Sequence, residues 1–429
     1  MFSYAETLDF LFDREVERMQ LGLERVERAL ALCGSPHARF PSLHIAGTNG
    51  KGSTAALLHA VLRAAGYRVG LYTSPHLLDF CERIRLGDGW IRQQDVVDGV
   101  AWIRSRLGPA QLGLTPFELM TLLAFVAFAR AEVDIAVVEV GLGGRLDATN
   151  VLSPLVTTIT QIGLDHQAYL GSDLARIAAE KGGIIKPGVP VVVGRMEADS
   201  QAVLIDIARR RGSPSLVYGR DFWADAGSGH FGYRGRAWQY DALPLGLAGA
   251  FQVDNAAAAL ASLECLSADF PVSGAQLCHG LRQVVWPGRF QIVSDQSDQP
   301  LVILDGAHNP HAVAGLVSAL PEVLGGRRVS LLFGVMDDKD WPSMVPPLAR
   351  IADQAVVTRV CNPRAADPQA VAAAFAEACP ARVCSDARAA CRQLLDGADA
   401  DTAVVVCGSL FLVGEVLPLF PSALRGHSR

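Results

Sequence analysis

His44-Ile45-Ala46-Gly47-Thr48-Asn49-Gly50-Lys51-Gly52-Ser53-Thr54 is an apolar strand end that runs into a glycine loop and then into a helical pattern. Glycines let backbone N–H groups turn inward around a phosphate, and the N-terminus of the following helix adds positive potential. Lys51 stands where a lysine bridges the β- and γ-phosphates, and Ser53 where a hydroxyl reaches a magnesium ion. The stretch departs from the common P-loop pattern twice: Gly52 follows the lysine where Ser or Thr is expected, and Ile45 occupies the place of the first glycine. A Gly-rich turn with a solvated lysine is the bland alternative. Strand, glycines, lysine and hydroxyls in this order favour phosphate binding, with Gly47, Thr48, Asn49, Gly50, Lys51, Gly52 and Ser53 as the ATP-phosphate residues.

Outward from this loop, short apolar runs alternate with helical patterns, the βαβ signature of a mostly parallel sheet. Strands are predicted over residues 43–46, 69–72, 135–140, 156–162 and 189–193, then over 301–304, 329–333, 355–358 and 403–407. Helical patterns fill the gaps, for example 54–65 and 117–130, and the Ala-rich stretch 365–378 is read as a helix. Residues 221–238, rich in Gly, aromatic and polar residues, read as a β excursion. Trp286-Pro287-Gly288 is a turn signal before a new strand. The expected organisation is α/β: an N-terminal ATPase domain with a mostly parallel sheet over 1–287 and a smaller C-terminal domain over 288–429.

Length and composition agree with two cores. The chain has 429 residues, half of them hydrophobic, which is too long for one ordinary core and too apolar for disorder. A net charge of -6 gives no global attraction to nucleic acid or to an anionic membrane, so an anionic substrate needs a local cationic site. The nine cysteines are scattered, odd in number and without a CxxC pair, which argues against a disulfide framework or a zinc site and for a reducing cytosol. No secretory leader pattern is read at the N-terminus, and the longest apolar stretch, near 119–129, is too short to span a bilayer. A cytoplasmic protein without membrane or nucleic-acid partners is expected.

Ligand sites in open α/β sheets lie beyond the C-terminal strand ends. Four groups fall there: Thr73-Ser74-Pro75-His76, Glu139 before residues 141–150, Asp165-His166, and Lys181 after Glu180. A carboxylate, a hydroxyl and an imidazole near a phosphate loop suit a divalent cation, although magnesium prefers oxygen ligands. Each has a plain structural alternative: for Glu139 an ion pair with Arg145, for His166 a core or helix-cap histidine.

The segments HIAGTNGKGST (44–54), YTSPHL (72–77), FCERIRL (80–86), EVGLGGRLDATN (139–150), LDH (164–166), EKGGIIKP (180–187), WPGRFQIV (286–293), LDGAHNP (304–310), DKD (338–340) and CGSLFLVGE (407–415) occur in this order. Together they resemble the folylpolyglutamate synthase family within the Mur-ligase superfamily, over nearly the whole chain. Residues 19–26 and 288–294 further resemble its bifunctional bacterial branch, dihydrofolate synthase/folylpolyglutamate synthase. Residues 247–252 look more like the monofunctional branch, and Gly182 stands where alanine is usual.

The resemblance implies a P-loop Mur-ligase-type ATPase domain and a smaller Rossmann-like C-terminal domain with the active site between them. It implies Ser74, Glu139 and His166 as magnesium ligands and Lys181 as a carbamylated lysine. Asn255, Arg289 and Asp305 match nucleotide-binding positions, while His308 and Ser409 match the glutamate side of the cleft. Candidates for the pteridine side are Gly22, Leu23, Glu24 and Arg25 with Thr115, Phe117 and Glu118. The implied reaction joins L-glutamate to dihydropteroate or a reduced folate, with ATP and Mg2+, through an acyl phosphate, giving ADP and phosphate. Lys51, Lys181 and His308 would be the catalytic set, and the chain would act as a monomer on small molecules. The rivals are a monofunctional folylpolyglutamate synthase, another Mur-type ligase, and a P-loop ATPase that hydrolyses without ligating.

Overall fold

The structure, a computed structural model, describes residues 2–12, 22–108, 113–227, 229–296 and 298–424. Residues 19–21, part of the segment resembling the bifunctional branch, lie outside them.

The first sheet contains, in chain order, β1 (Ser42–Ala46), β2 (Val69–Tyr72), β3 (Ile84–Leu86), β4 (Gly89–Trp90), β5 (Ile135–Glu139), β6 (Val156–Ile159), β7 (Val191–Val193) and β8 (Ser215–Val217). Their order across the sheet is β4-β3-β2-β5-β1-β6-β7-β8. Only β3 pairs antiparallel, with β2 and β4; the other ladders are parallel. Every residue of β1, β5 and β6 is buried, as parallel strands covered on both faces require. The chain leaves β1 between β5 and β6, and this switch point sends residues 47–50 into the crevice at the carboxyl edge.

The strand at β7 begins two residues later than expected, since Pro190 carries no N–H for the ladder. Expected extensions beyond Glu139 and Ile159 are loop, which turns residues 140–150 and 160–166 over the sheet edge. The short strands β3, β4 and β8 were not anticipated. Residues 221–238 and their continuation form a separate antiparallel sheet of β9 (Trp223–Ala226), β10 (His230–Arg234) and β11 (Gln239–Pro244), with Phe231 and Tyr233 turned into the core. The helices Phe251–Leu266 and Gly274–Gln283 pack on the phosphate-loop helix Lys51–Ala64 in one hydrophobic cluster. Gly280 permits this closeness, because a β-carbon there would lie 2.6 Å from Val61 Cα.

The second sheet contains β12 (Gln291–Ser294), β13 (Leu301–Leu304), β14 (Arg328–Phe333), β15 (Gln354–Val357), β16 (Ala381–Val383) and β17 (Thr402–Cys407). Their order is β12-β13-β17-β14-β15-β16, with only β12 antiparallel. The helix expected over 365–378 runs Pro368–Ala376: Asp367 accepts from Gln369 N as its cap, and Pro368 pre-sets the first turn. The loop after β13 brings Asp305, Ala307 and His308 to the carboxyl edge of this sheet, in one cavity with the phosphate loop, and the loop after β17 leads to Leu410 in the same cavity.

Candidate active site

A cavity of about 310 Å³ lies where the two carboxyl edges meet. Its walls include Gly47 to Ser53, Ser74, Glu139, His166, Lys181 and Asn255 from the first part of the chain, and Arg289, Asp305 and His308 from beyond Gly288. Every ATP and metal residue predicted from the sequence therefore reaches one cavity.

The phosphate loop is held from behind. Thr48 N donates to Gln161 O at 2.6 Å, Thr48 Oγ1 donates to Gly163 O at 3.0 Å, and Thr160 Oγ1 donates to Asn49 O at 2.6 Å. Gly50 has φ 84°, and a β-carbon there would sit 2.1 Å from Asn255 Oδ1, so loop and helix Phe251–Leu266 tolerate no side chain at this contact. Gly52 has a local reason too. A β-carbon would lie 3.0 Å from Cζ2 and Nε1 of Trp286, whose indole also faces the Arg85 guanidinium at 5.4 Å. The departure from the usual Ser or Thr thus makes room for the turn residue Trp286.

Both lysines bend toward the loop. Lys51 Nζ donates to Gly47 O and Thr48 O at 3.0 and 3.1 Å, and Lys181 Nζ donates to Gly47 O at 2.9 Å. Burial, reinforced by the positive Lys51 nearby, pushes the Lys181 amine down to about 7. Burial raises the Glu139 carboxyl against the opposing pull of Lys51. Glu139 Oε2 accepts from Ser74 N at 3.1 Å. Arg145 is not its partner but pairs with Glu180 at 3.0 Å, which also leaves Lys181 free of Glu180.

Asp165 is the centre of the opposite wall. It accepts from Lys339 Nζ at 2.6 Å, Asn309 Nδ2 at 3.1 Å and His166 N at 2.8 Å, and His308 Nε2 stands 3.3 Å away. Burial acts to raise its carboxyl, but the hydrogen bond and charge of His308, with His166 and Lys339, hold it well below the usual carboxylate range. His308 Nδ1 lies 2.7 Å from Gly306 O, a carbonyl that only accepts, so Nδ1 carries the hydrogen and Nε2 faces Asp165. Asp305 accepts from Phe290 N and Ala307 N at 2.6 and 2.7 Å, fixing the loop that presents Arg289; it is not a helix cap, a role taken by Asn309.

The remaining predicted residues stand back from the cavity wall. Ser409 is 3 % exposed and caps the helix Leu410–Val416 by accepting from Phe411 N, while its neighbour Leu410 reaches the cavity. Thr115 and Glu118 form a capping box for the helix Pro116–Arg130, and Glu118 pairs with Arg25 at 3.0 Å. Phe117 stacks near Tyr72 with ring centroids 6.1 Å apart and packs on Gly141, where a β-carbon would meet its ring at 2.4 Å. Gly22, Leu23 and Glu24 lead into the helix Glu24–Leu32, with Leu23 at its cap position. The pteridine candidates thus lie outside the lining of the main cavity, with Phe117 packed behind Gly141.

His166 is the N-terminal residue of a short turn, Gln167–Leu170, at φ 50°, with Nε2 3.8 Å from Asp165 Oδ2. Among the described residues no three His, Cys, Asp or Glu side chains converge as a ready metal cage. The predicted set contains two such residues, Glu139 and His166, completed by Ser74 and Lys181. Asp165, Lys339, Asn309 and His311 were not assigned site roles from the sequence, although three of them lie in the LDH, DKD and HNP segments.

Residues 45–263 match the family description Mur ligase middle domain, and residues 288–410 match Mur ligase, glutamate ligase domain. A folylpolyglutamate synthase of Lacticaseibacillus casei is 34 % identical over 426 residues, covering 96 % of this chain and 98 % of the relative. The chain belongs to the folylpolyglutamate synthase family of Mur ligases. The dihydrofolate synthase/folylpolyglutamate synthase of Escherichia coli is 33 % identical, covering 98 % of this chain and 96 % of the relative. Among solved structures of the family, E. coli FolC in complex with DHPP and ADP superposes with a TM-score of 0.91 at 33 % identity, covering 98 % of both chains. The bifunctional Yersinia pestis enzyme with Mn, AMPPNP and L-glutamate bound superposes at 0.88 with 35 % identity, again covering 98 % of both. Both this α/β architecture and membership of an ATP-using ligase family agree with the cavity geometry.

Proposed function

We propose that this chain joins L-glutamate to a folate-type carboxylate, dihydropteroate and reduced folates alike, using ATP and releasing ADP and phosphate. The observation that carries the reading is the single cavity in which a phosphate loop faces the loops of a glutamate-ligase domain. We keep the domain boundary between 287 and 288, where Trp286 packs on the first core and Gly288 turns the chain toward β12.

In the proposed reaction a substrate carboxylate oxygen attacks the γ-phosphorus, and the bond to the β-phosphate oxygen breaks to give ADP. The glutamate amine then attacks the acyl carbon, and the carbon–oxygen bond to phosphate breaks. Catalysis is largely positioning and charge neutralisation. Lys51 turns from its loop carbonyls to the phosphates, and Arg289 approaches the same charge from across the seam. His308, held with Nδ1 on Gly306 O and Nε2 on Asp165, positions the glutamate, and the amine proton passes to solvent. Glu139, Ser74, His166 and Lys181 fit a divalent cation: Glu139 is a buried carboxylate awaiting positive charge, and Lys181 becomes an oxygen donor once carbamylated. The neutral amine favoured by its depressed pKa is the form that takes up carbon dioxide. Bound magnesium supplies charge to the phosphates.

A cytosolic setting belongs to this reading and is supported by nine cysteines that are all free thiols. Among the described residues no helix is long and apolar enough to cross a membrane. Action as a monomer, on small molecules only, is part of the same proposal.

The test is incubation with ATP, magnesium and glutamate plus either dihydropteroate or tetrahydrofolate, with products identified by mass. One new amide per ADP is expected with each acceptor. Glutamate-independent ATP hydrolysis alone would contradict the ligase reading, and reaction with tetrahydrofolate only would leave a monofunctional folylpolyglutamate synthase.

A further inference from the structure

We infer that Asn309 is a positioning residue that ties the glutamate-ligase domain to the phosphate loop, so that turnover depends on it although it touches no substrate. The inference rests on the ligase reading of the cavity. Asn309 is 1 % exposed and lies behind the cavity wall. Its carboxamide has two acceptor sites on oxygen and two hydrogens on nitrogen, and all four are used. Oδ1 accepts from Ala312 N at 2.8 Å, capping the helix Pro310–Ala319. The same oxygen accepts from Asn49 Nδ2 at 3.2 Å. Nδ2 donates to Asn49 Oδ1 at 3.0 Å and to Asp165 Oδ2 at 3.1 Å.

One side chain therefore joins a helix start in the second domain to the phosphate loop and the Asp165 wall of the first. Asn49 precedes Gly50 and Lys51, and its own carbonyl is pinned by Thr160 Oγ1 at 2.6 Å. The loop is thus located from both domains, by Thr160 on one side and Asn309 on the other. Asn309 also follows His308, so the cap that fixes Asn309 fixes the backbone carrying His308. When the domains part, the reciprocal amide pair is lost, and the phosphate loop and His308 lose their common reference. No other side chain fits all these demands: Asp lacks the hydrogens, Ser caps but does not reach Asn49, and Gln is too long to cap.

The experiment compares wild type with Asn309→Ser, which keeps a good helix cap but not the cross-domain bonds. ADP formation at saturating substrates is measured beside ADP affinity and thermal midpoint. We expect kcat to fall at least about tenfold, as small misplacements do, with ADP affinity within about twofold and the midpoint lowered by only a few degrees, as lost buried hydrogen bonds do. Asn309→Thr, a second capping residue that lacks the cross-domain amide and adds no charge beside Asp165, guards against a defect of one variant and is expected to lose turnover likewise. Turnover of Asn309→Ser within about twofold of wild type, or a loss of ADP affinity as large as the loss of turnover, would overturn the inference. Absence of glutamate-dependent ADP release in wild type would instead fail the ligase reading, a result that the wild-type arm alone identifies.

Discussion

Glu139 and Asp165 are both buried carboxylates at the edge of one cavity, and their surroundings differ in kind. Glu139 receives one backbone N–H from Ser74, and burial raises its carboxyl. Asp165 receives Lys339, Asn309 and its neighbour's N–H, with His308 close by, and is held well below the carboxylate range. Asp165 is thus compensated by groups hydrogen-bonded to it, whereas Glu139 feels Lys51 and Arg289 only as nearby charges. The Glu139 side reads as a preorganised ligand site and the Asp165 side as a joint between domains.

If that contrast is right, breaking the joint has the largest effect on the protein itself. Lys339 and Asp165 side chains are 8 % and 7 % exposed. Removing the cation with Lys339→Met strands a buried carboxylate and is expected to cost about 3–5 kcal/mol in chemical denaturation, as broken buried pairs do. Glu139→Gln on the ligand side is expected to leave stability in the absence of ligands nearly unchanged or raised. Equal losses in the two variants would erase the distinction.

A smaller effect is expected at Gly52. Gly52→Ser restores the residue usual in phosphate loops yet places its β-carbon 3.0 Å from the Trp286 indole. Overpacking of this kind costs about 1–3 kcal/mol, read as weaker ADP binding. Trp286→Leu in the same background should recover part of it. Improved binding by Gly52→Ser alone would show that the indole yields freely.

The smallest effect per step concerns pH. His44 on β1 and His59 on the phosphate-loop helix are buried, and burial pushes each down to about 3. The unfolded chain binds protons at these sites from about pH 6.5 downward while the folded chain does not. Their contribution is complete above that pH, and stability falls as pH drops toward 3, by about 1.4 kcal/mol per pH unit per histidine. His59→Leu should flatten the slope of unfolding free energy between pH 6 and 4 by one histidine's share. An unchanged slope would place the acid sensitivity elsewhere.

Much of this was legible in the chain itself. Residues 44–54 announce strand, loop and helix because local rules fix all three, and the buried parallel strands show as unbroken apolar runs. Ser74, Glu139 and His166 stand at or just beyond strand ends, where an open α/β sheet gathers ligand groups, whereas Lys181 lies in the helix Leu174–Gly182 and is singled out through the family resemblance. The joint was not legible. Asn309 resembles any helix cap, and Lys339 any solvated lysine, until the second sheet brings them against Asp165 and Asn49, residues far away in the chain. Strands of two or three residues such as β4 and β16 carry too short a pattern to read. On the pteridine side, no local signal reveals that Arg25 and Glu118, 93 residues apart, form an ion pair.

The central claim is transfer of the γ-phosphoryl of ATP to a carboxylate that then accepts glutamate. The direct measurement uses an acceptor with both oxygens of its reacting carboxylate replaced by a heavy isotope, followed by mass analysis of the phosphate released. The account predicts one labelled oxygen in each phosphate, formed together with ADP and the new amide. Unlabelled phosphate, or AMP and pyrophosphate in its place, would contradict it.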